Sequence, residues 1–152
     1  SRGWLVAHWV PALVFVISAA ISFATGSSFS TMALLLPLAI EIAFPLLTGK
    51  AGVGDPQDPL MLATIGGVLA GSIFGDHCSP ISDTTVLSSA ATRCNHLDHV
   101  MTQMPYAATV AGVALLIGYV PAGFGVPPLW LLPLGCGVLF LIVRFVGRPV
   151  EG

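Results

Sequence analysis

Gly75-Asp76-His77-Cys78-Ser79-Pro80-Ile81-Ser82-Asp83-Thr84-Thr85 puts two carboxylates, an imidazole, a thiol and four hydroxyls into eleven residues. Apolar sequence flanks it, residues 60–74 before and Val86-Leu87-Ser88-Ser89-Ala90-Ala91 after. A polar cluster of this density is costly in a bilayer and is tolerated where backbone lines a cavity or an ion path.

Composition sets the same frame. The chain has 152 residues, 55% hydrophobic and 8% charged, with a mean hydropathy of +0.93. Soluble domains carry about 25% charged residues, so the sequence predicts an integral membrane protein, an all-α multi-span helical bundle in the cell membrane. A net charge of −2 offers no basic surface for nucleic acid. Cys78, Cys94 and Cys136 are odd in number and lack CxxC spacing, which argues against a disulfide framework. Ser1-Arg2-Gly3-Trp4 has neither an initiator Met nor a leader-like cleavage site. The chain therefore reads as a piece of a longer transporter.

Residues 4–24 are apolar over a length that crosses a bilayer of ~30 Å. Trp4, His8 and Trp9 sit near the start, where such rings anchor at an interface. Thr25-Gly26-Ser27-Ser28-Phe29-Ser30-Thr31 then forms a second hydroxyl-rich break. Residues 32–47 resume the apolar pattern, interrupted by Pro37, Glu41 and Pro45. The two arms, 4–24 and 32–47, fit either two spans or a re-entrant hairpin. Glu41 is an intramembrane acid, either functional or a protonated acid bonded to a neighbouring helix. Residues 48–59, with Asp55 and Asp58 each before a proline, read as an aqueous loop.

Residues 60–92 are expected to form one discontinuous helix, broken at 75–83. The apolar run 60–74 is about 22 Å long as a helix, too short to cross alone, so it would deliver the motif near mid-membrane. Gly67, Gly71 and Gly75 recur every fourth residue, a pattern for close helix packing. Pro80 excludes Ser79 from helical geometry, and Ser82 or Asp83 suits the N-cap of a second half-helix. Residues 95–104 place Leu97, Val100, Met101 and Met104 on one face and His96, His99, Thr102 and Gln103 on the other. That pattern predicts a short interfacial amphipathic helix with a solvated, dispensable histidine face. Residues 105–121 and 129–146 read as two scaffold spans. Arg93, Arg144 and Arg148 against Arg2 and Lys50 point to a cytoplasmic Arg93 side.

Hydroxyls, carboxylates and free carbonyls are hard ligands that suit a small hard cation. A carboxylate that takes either Na+ or H+ is the simplest exchange device. Caps alone would need one or two such residues, and this stretch has eight polar side chains. The candidate ion-binding and coupling residues are Asp76, His77, Ser79, Ser82, Asp83, Thr84 and Thr85. Thr25, Gly26, Ser27, Ser28, Thr31 and Glu41 form a secondary ion path. Helix dipoles would divide the two motif acids: Asp76, at a negative helix end, exchanges its proton, and Asp83, at a positive one, remains a fixed ligand and cap.

The run from Phe74 to Ser89, Phe74-Gly75-Asp76-His77-Cys78-Ser79-Pro80-Ile81-Ser82-Asp83-Thr84-Thr85-Val86-Leu87-Ser88-Ser89, resembles the signature of NhaC-type Na+/H+ antiporters, members of the ion-transporter superfamily. Asp98-His99-Val100, Thr102-Gln103-Met104-Pro105-Tyr106-Ala107 and the upstream 25–31 break followed by Leu36-Pro37 extend the resemblance over residues 20–110. Ser28-Phe29-Ser30 departs from the tryptophan and glycine expected there. The resemblance implies inverted repeats with broken helices, of which this chain is one half from the C-terminal part of a bacterial inner-membrane protein. It implies exchange of Na+ for H+ at a midplane site, with no cofactor and no metal beyond Na+. The implied partners are membrane lipid, the N-terminal half of the same transporter and a second copy in a homodimer.

Two other readings stand beside it. A Na+- or H+-coupled organic-acid or amino-acid exchanger, of the malate/lactate type, would need a positive site for the carboxylate, and the only arginine near the motif is Arg93. An intramembrane metal-dependent enzyme built on His77, Cys78 and Asp83 would call for His pairs at helical spacing, and no HExxH run occurs.

Overall fold

A computed structural model describes residues 2–48 and 58–147, with side chains for 7–45 and 58–147. Three glycines decide how it packs. Gly67, Gly71 and Gly75 line one face of α3 (Pro59–Cys78), and α1 (Arg2–Thr25) lies directly in the groove they leave. A methyl group on Gly71 would stand 2.3 Å from the Phe15 carbonyl oxygen, and one on Gly75 2.2 Å from that of Ala19. The pairings Gly67–Pro11, Gly71–Phe15 and Gly75–Ala19 advance together, so α1 and α3 run parallel. Between lipid-facing helices the hydrophobic effect supplies little association, and close van der Waals approach replaces it. The Ser22 hydroxyl adds a hydrogen bond to the Ser72 carbonyl, 2.6 Å.

The turn at Gly26 and Ser27 reverses the chain into α2 (Ser28–Thr48), whose Ala43 returns to Ala7, Val10 and Leu60 at the far end. Asp58 caps α3, accepting from the Leu60 amide at 2.8 Å, with Pro59 at the first helical position where no donor is needed. After the break at 79–82, α4 (Asp83–Thr92) ends on Arg93 in the left-handed region, φ 55°. The chain then descends through α5 (His96–Val113), a π-helical stretch (Ala114–Tyr119) and α6 (Val120–Gly123). The π register falls just before Pro121, which has no amide to give. This descent is antiparallel to α3, since Gln103 donates to the His77 carbonyl and Tyr119 to that of Gly66. At its foot the ring of His8 donates from Nδ1 to the Gly123 carbonyl and stacks on Phe124. α7 (Pro128–Val146) completes the bundle, with most of its apolar side chains facing outward.

The structure is all-α among the described residues, and five segments are long and apolar enough to cross a membrane: Ala7–Thr25, Ser28–Pro45, Pro59–Cys78, His96–Gly123 and Pro128–Val146. Three expectations change. The helix expected to stop near Gly75 runs on to Cys78, and with Pro59 it has 20 residues, about 30 Å. The break therefore follows a helix of spanning length, and its position does not support a site near mid-membrane. Its length is set by Asp58 and Pro59 at one end and by bonded side chains around Asp76 at the other. The break itself is narrower than 75–83, covering residues 79–82. The interfacial helix 95–104 and the span 105–121 are one continuous helical rod that passes through Pro105 without a break. Residues 49–57, with Lys50 and Asp55, and 148–152, with Arg148, lie outside the described residues, so the charge-based orientation finds no test there.

Gly71→Leu should separate α1 from α3 and lower the thermal unfolding midpoint in detergent by several degrees, since overpacking typically costs ~1–3 kcal/mol. Gly112→Ala, where an added methyl meets nothing within 4 Å, should leave it unchanged or raise it.

Candidate functional site

Asp76 occupies the last turn of α3 and is 5% exposed. Its carboxylate accepts from two hydroxyls on different elements. Ser82 donates to Oδ1 at 2.8 Å and Ser28, at the start of α2, to Oδ2 at 3.2 Å. The Ser82 hydroxyl also lies 2.7 Å from Thr84 Oγ1. Ser82 is the N-cap of α4, yet its side chain makes no cap bond, because it is committed to Asp76. The α4 amide of Thr84 is served instead by Asp83 Oδ1 at 2.8 Å.

The two hydroxyl-rich breaks meet in space. Gly26 has φ +67°, and a methyl group there would stand 2.9 Å from the backbone and side chain of Ile81. Only glycine satisfies both the left-handed turn and this approach. The contact brings the α1–α2 turn against 79–82 and delivers Ser28 to Asp76.

The structure therefore joins Asp76, Ser82, Thr84 and Ser28 in one oxygen cluster. Ser79 and Thr85 are buried beside it; Ser79 Oγ accepts from the Ile81 amide at 3.3 Å. Gly26 shapes the turn, while Thr25, Ser27 and Thr31 bond locally: Thr25 to the Ile21 carbonyl, Thr31 to that of Ser27, and Ser27 to Ser30. Asp83 and His77 are exposed and do not join the cluster; the His77 ring bonds back to the Ile73 carbonyl. Glu41 is exposed on α2, 13 residues and so about 20 Å along the helix from Ser28. Among the described residues no group of three or more His, Cys, Asp or Glu is arranged to hold a metal.

His96 is placed differently from the expectation of a solvated face. Its Nε2 donates to the Pro80 carbonyl at 2.6 Å, and Nδ1 lies 2.9 Å from Ser89 Oγ. The face of α5 bearing His96, Val100 and Gln103 turns inward, whereas Leu97 and Met101 are 65% and 68% exposed. The amphipathic pattern does not set the orientation: apolar Val100 is buried and polar Thr102 exposed, because the break leaves free carbonyls that need donors and apolar side chains lose nothing by facing lipid. Sequence reading missed His96 and the Ser22–Ser72 bond. The signal available for His96 was its place sixteen residues past Pro80, across a helix too short to carry the chain away.

A multi-pass helical bundle in which a broken helix meets a helical turn around a buried acid is the kind of binding element that secondary transporters use. Comparison with known proteins agrees: the model of the Na+/H+ antiporter family matches residues 1–124, and the chain belongs to that family. An uncharacterized protein of Haemophilus influenzae is 45% identical over 117 residues, 77% of this chain and 20% of that protein. The malate-2H+/Na+-lactate antiporter of Bacillus subtilis is 30% identical over 80% of this chain and 27% of its own length. An arginine/ornithine antiporter of Halobacterium salinarum is 29% identical over 74% and 25%. The chain thus spans about a quarter of the length of these curated relatives. No solved structure matches it.

Two experiments check the geometry. In a cysteine-free background, Ser28→Cys with Ser82→Cys should form a disulfide seen in the linked peptides by mass spectrometry, since both side chains meet one carboxylate. His96→Ala, which leaves the Pro80 carbonyl without its donor, should lower the thermal unfolding midpoint in detergent by several degrees, and His96→Gln, which keeps a donor for Pro80, should restore most of it.

Proposed function

We propose that this chain carries the cation site of an NhaC-type antiporter that exchanges Na+ for H+ across the bacterial cell membrane, with Asp76 as the shared ligand. The observation that supports this most directly is a carboxylate 5% exposed whose hydrogen-bond partners are hydroxyls on two separate elements. A hydroxyl both donates a proton and offers two lone pairs. Ser28 and Ser82 can therefore donate to the bare carboxylate, accept from its protonated form, or turn their oxygens to a bound cation. Leaving the buried carboxylate ionised without a counter-ion is costly. The site is then occupied by either H+ or Na+ whenever it is shielded from water, and that alternation is exchange. Thr84, one hydrogen bond behind Ser82, supplies a further oxygen, and Asp83 acts as a cap at the mouth. The rest of the transporter contributes the remaining walls.

A second reading has its own support. Two relatives are named as antiporters of malate and lactate or of arginine and ornithine, so the same cation site can serve coupling to an organic solute. The apolar groove of about 540 Å³ between α3, the π-helical stretch and α7, lined by Leu62, Val113, Leu131 and Leu139 among others, offers no charge to hold such a solute.

Proton release from vesicles containing the intact transporter decides between the readings. Na+ should trigger it, and K+, malate or arginine should not. Asp76→Asn should abolish the response, whereas Asp83→Asn, outside the cluster, should keep the exchange with its Na+ affinity nearly unchanged. A response to malate or arginine that needs Na+ would instead favour the organic-solute reading.

A further inference from the structure

Helical serines and threonines usually satisfy their hydroxyl by donating to the carbonyl four residues back. In this bundle Ser18, Thr64, Ser88, Thr102 and Thr109 all do so, at 2.7–2.8 Å. Ser72 does not. It is fully buried, and its Oγ has no hydrogen-bond partner among the described residues, although its own carbonyl accepts from Ser22. Its place is particular. Thr64, Val68, Ser72 and Asp76 follow one another at four-residue spacing along α3, and all four are buried. Ser72 therefore lies one turn before Asp76 on the same buried face of α3. Neighbours at this spacing have Cβ atoms roughly 5–6 Å apart. Na+, close to Ca2+ in radius, takes oxygens at roughly 2.3–2.6 Å, so one ion fits between two such side chains.

We infer that Ser72 is a further cation ligand, an oxygen one turn below Asp76 that faces the ion from the side opposite Ser28 and Ser82. This rests on the reading of Asp76 as the Na+ site. It explains why a buried hydroxyl stays unbonded where its neighbours bond locally: its lone pairs complete a coordination shell. A neutral oxygen adds a ligand without adding charge, so Asp76 keeps its balance with a single H+ or Na+.

Binding of radiolabelled Na+ to the intact purified transporter tests the inference. Ser72→Ala removes one oxygen, leaves the shape nearly unchanged and removes an unsatisfied group, so the unfolding temperature should hold or rise. The half-saturating Na+ concentration should rise roughly tenfold, in keeping with the loss of one bond to a charged partner. Ser72→Cys, which keeps the volume and replaces a hard ligand with a soft one, should show the same loss and covers the case in which the alanine variant folds poorly. Unchanged Na+ binding in either folded variant, with binding lost in Asp76→Asn, overturns the role of Ser72 and leaves a buried water or a dry hydroxyl there. Unchanged binding in Asp76→Asn overturns the Na+ site itself.

Discussion

A carboxylate in apolar surroundings must be paired, and the architecture around Asp76 follows from that requirement. Supplying it with hydroxyls from two directions takes a break in the chain at 79–82, so that Ser82 can turn back, and a tight turn at Gly26, so that Ser28 can arrive from α2. The break leaves backbone carbonyls without helical partners, and in an apolar medium each must find a donor. His96 supplies Pro80 and Gln103 supplies His77. One buried carboxyl group and the break beside it thus tie together α2, α3, α4 and α5.

Holding the pieces in register falls to α1 and α3. Their contact is backbone against backbone, with glycine Cα atoms against the carbonyls of Pro11, Phe15 and Ala19. Such a contact has little freedom to slide, because each carbonyl sits where any side chain would collide. It extends from Gly67 to Gly75, one residue short of Asp76, so the rigid part of the bundle ends where the site begins. Beyond that point α4 buries only Thr85 and Ser89, and its outward Val86 and Leu87 suit lipid or the rest of the transporter.

Much of this was legible in the sequence, for physical reasons that differ from residue to residue. Eight polar side chains within apolar sequence announce a polar cluster shielded from lipid, and two such stretches in one short chain announce that they meet, as Gly26 with Ile81 and Ser28 with Asp76 do. The four-residue glycine spacing announces a close helix contact. The end of α3 was not legible, because Gly75, Asp76 and His77 look like helix breakers until Ser28 and Ser82 are seen to satisfy the carboxylate. The first turns of α5 were misread for a related reason. In water an amphipathic pattern turns its apolar face inward, whereas beside lipid single polar side chains such as His96 and Gln103 go where polar partners are, and apolar Val100 packs inward beside them. Ser72 carries no sequence signal at all, since a serine in a helix is ordinarily self-bonded.

The chemistry of the cluster also bears on what a whole transporter of this family can carry. The hydrogen-bond partners of Asp76 are hydroxyls rather than cationic side chains, which suits the small hard cation proposed to bind there. An organic anion would need positive charge or an exposed helix N-terminus elsewhere, and Arg93, the nearest arginine in sequence, is exposed and turned into the left-handed cap of α4. The oxygen cluster and any solute pocket are therefore separable parts. On the proposed reading, a cation step built from this carboxylate and these hydroxyls is compatible with a solute site built elsewhere. Such a solute site would lie in walls that meet the cluster from other helices.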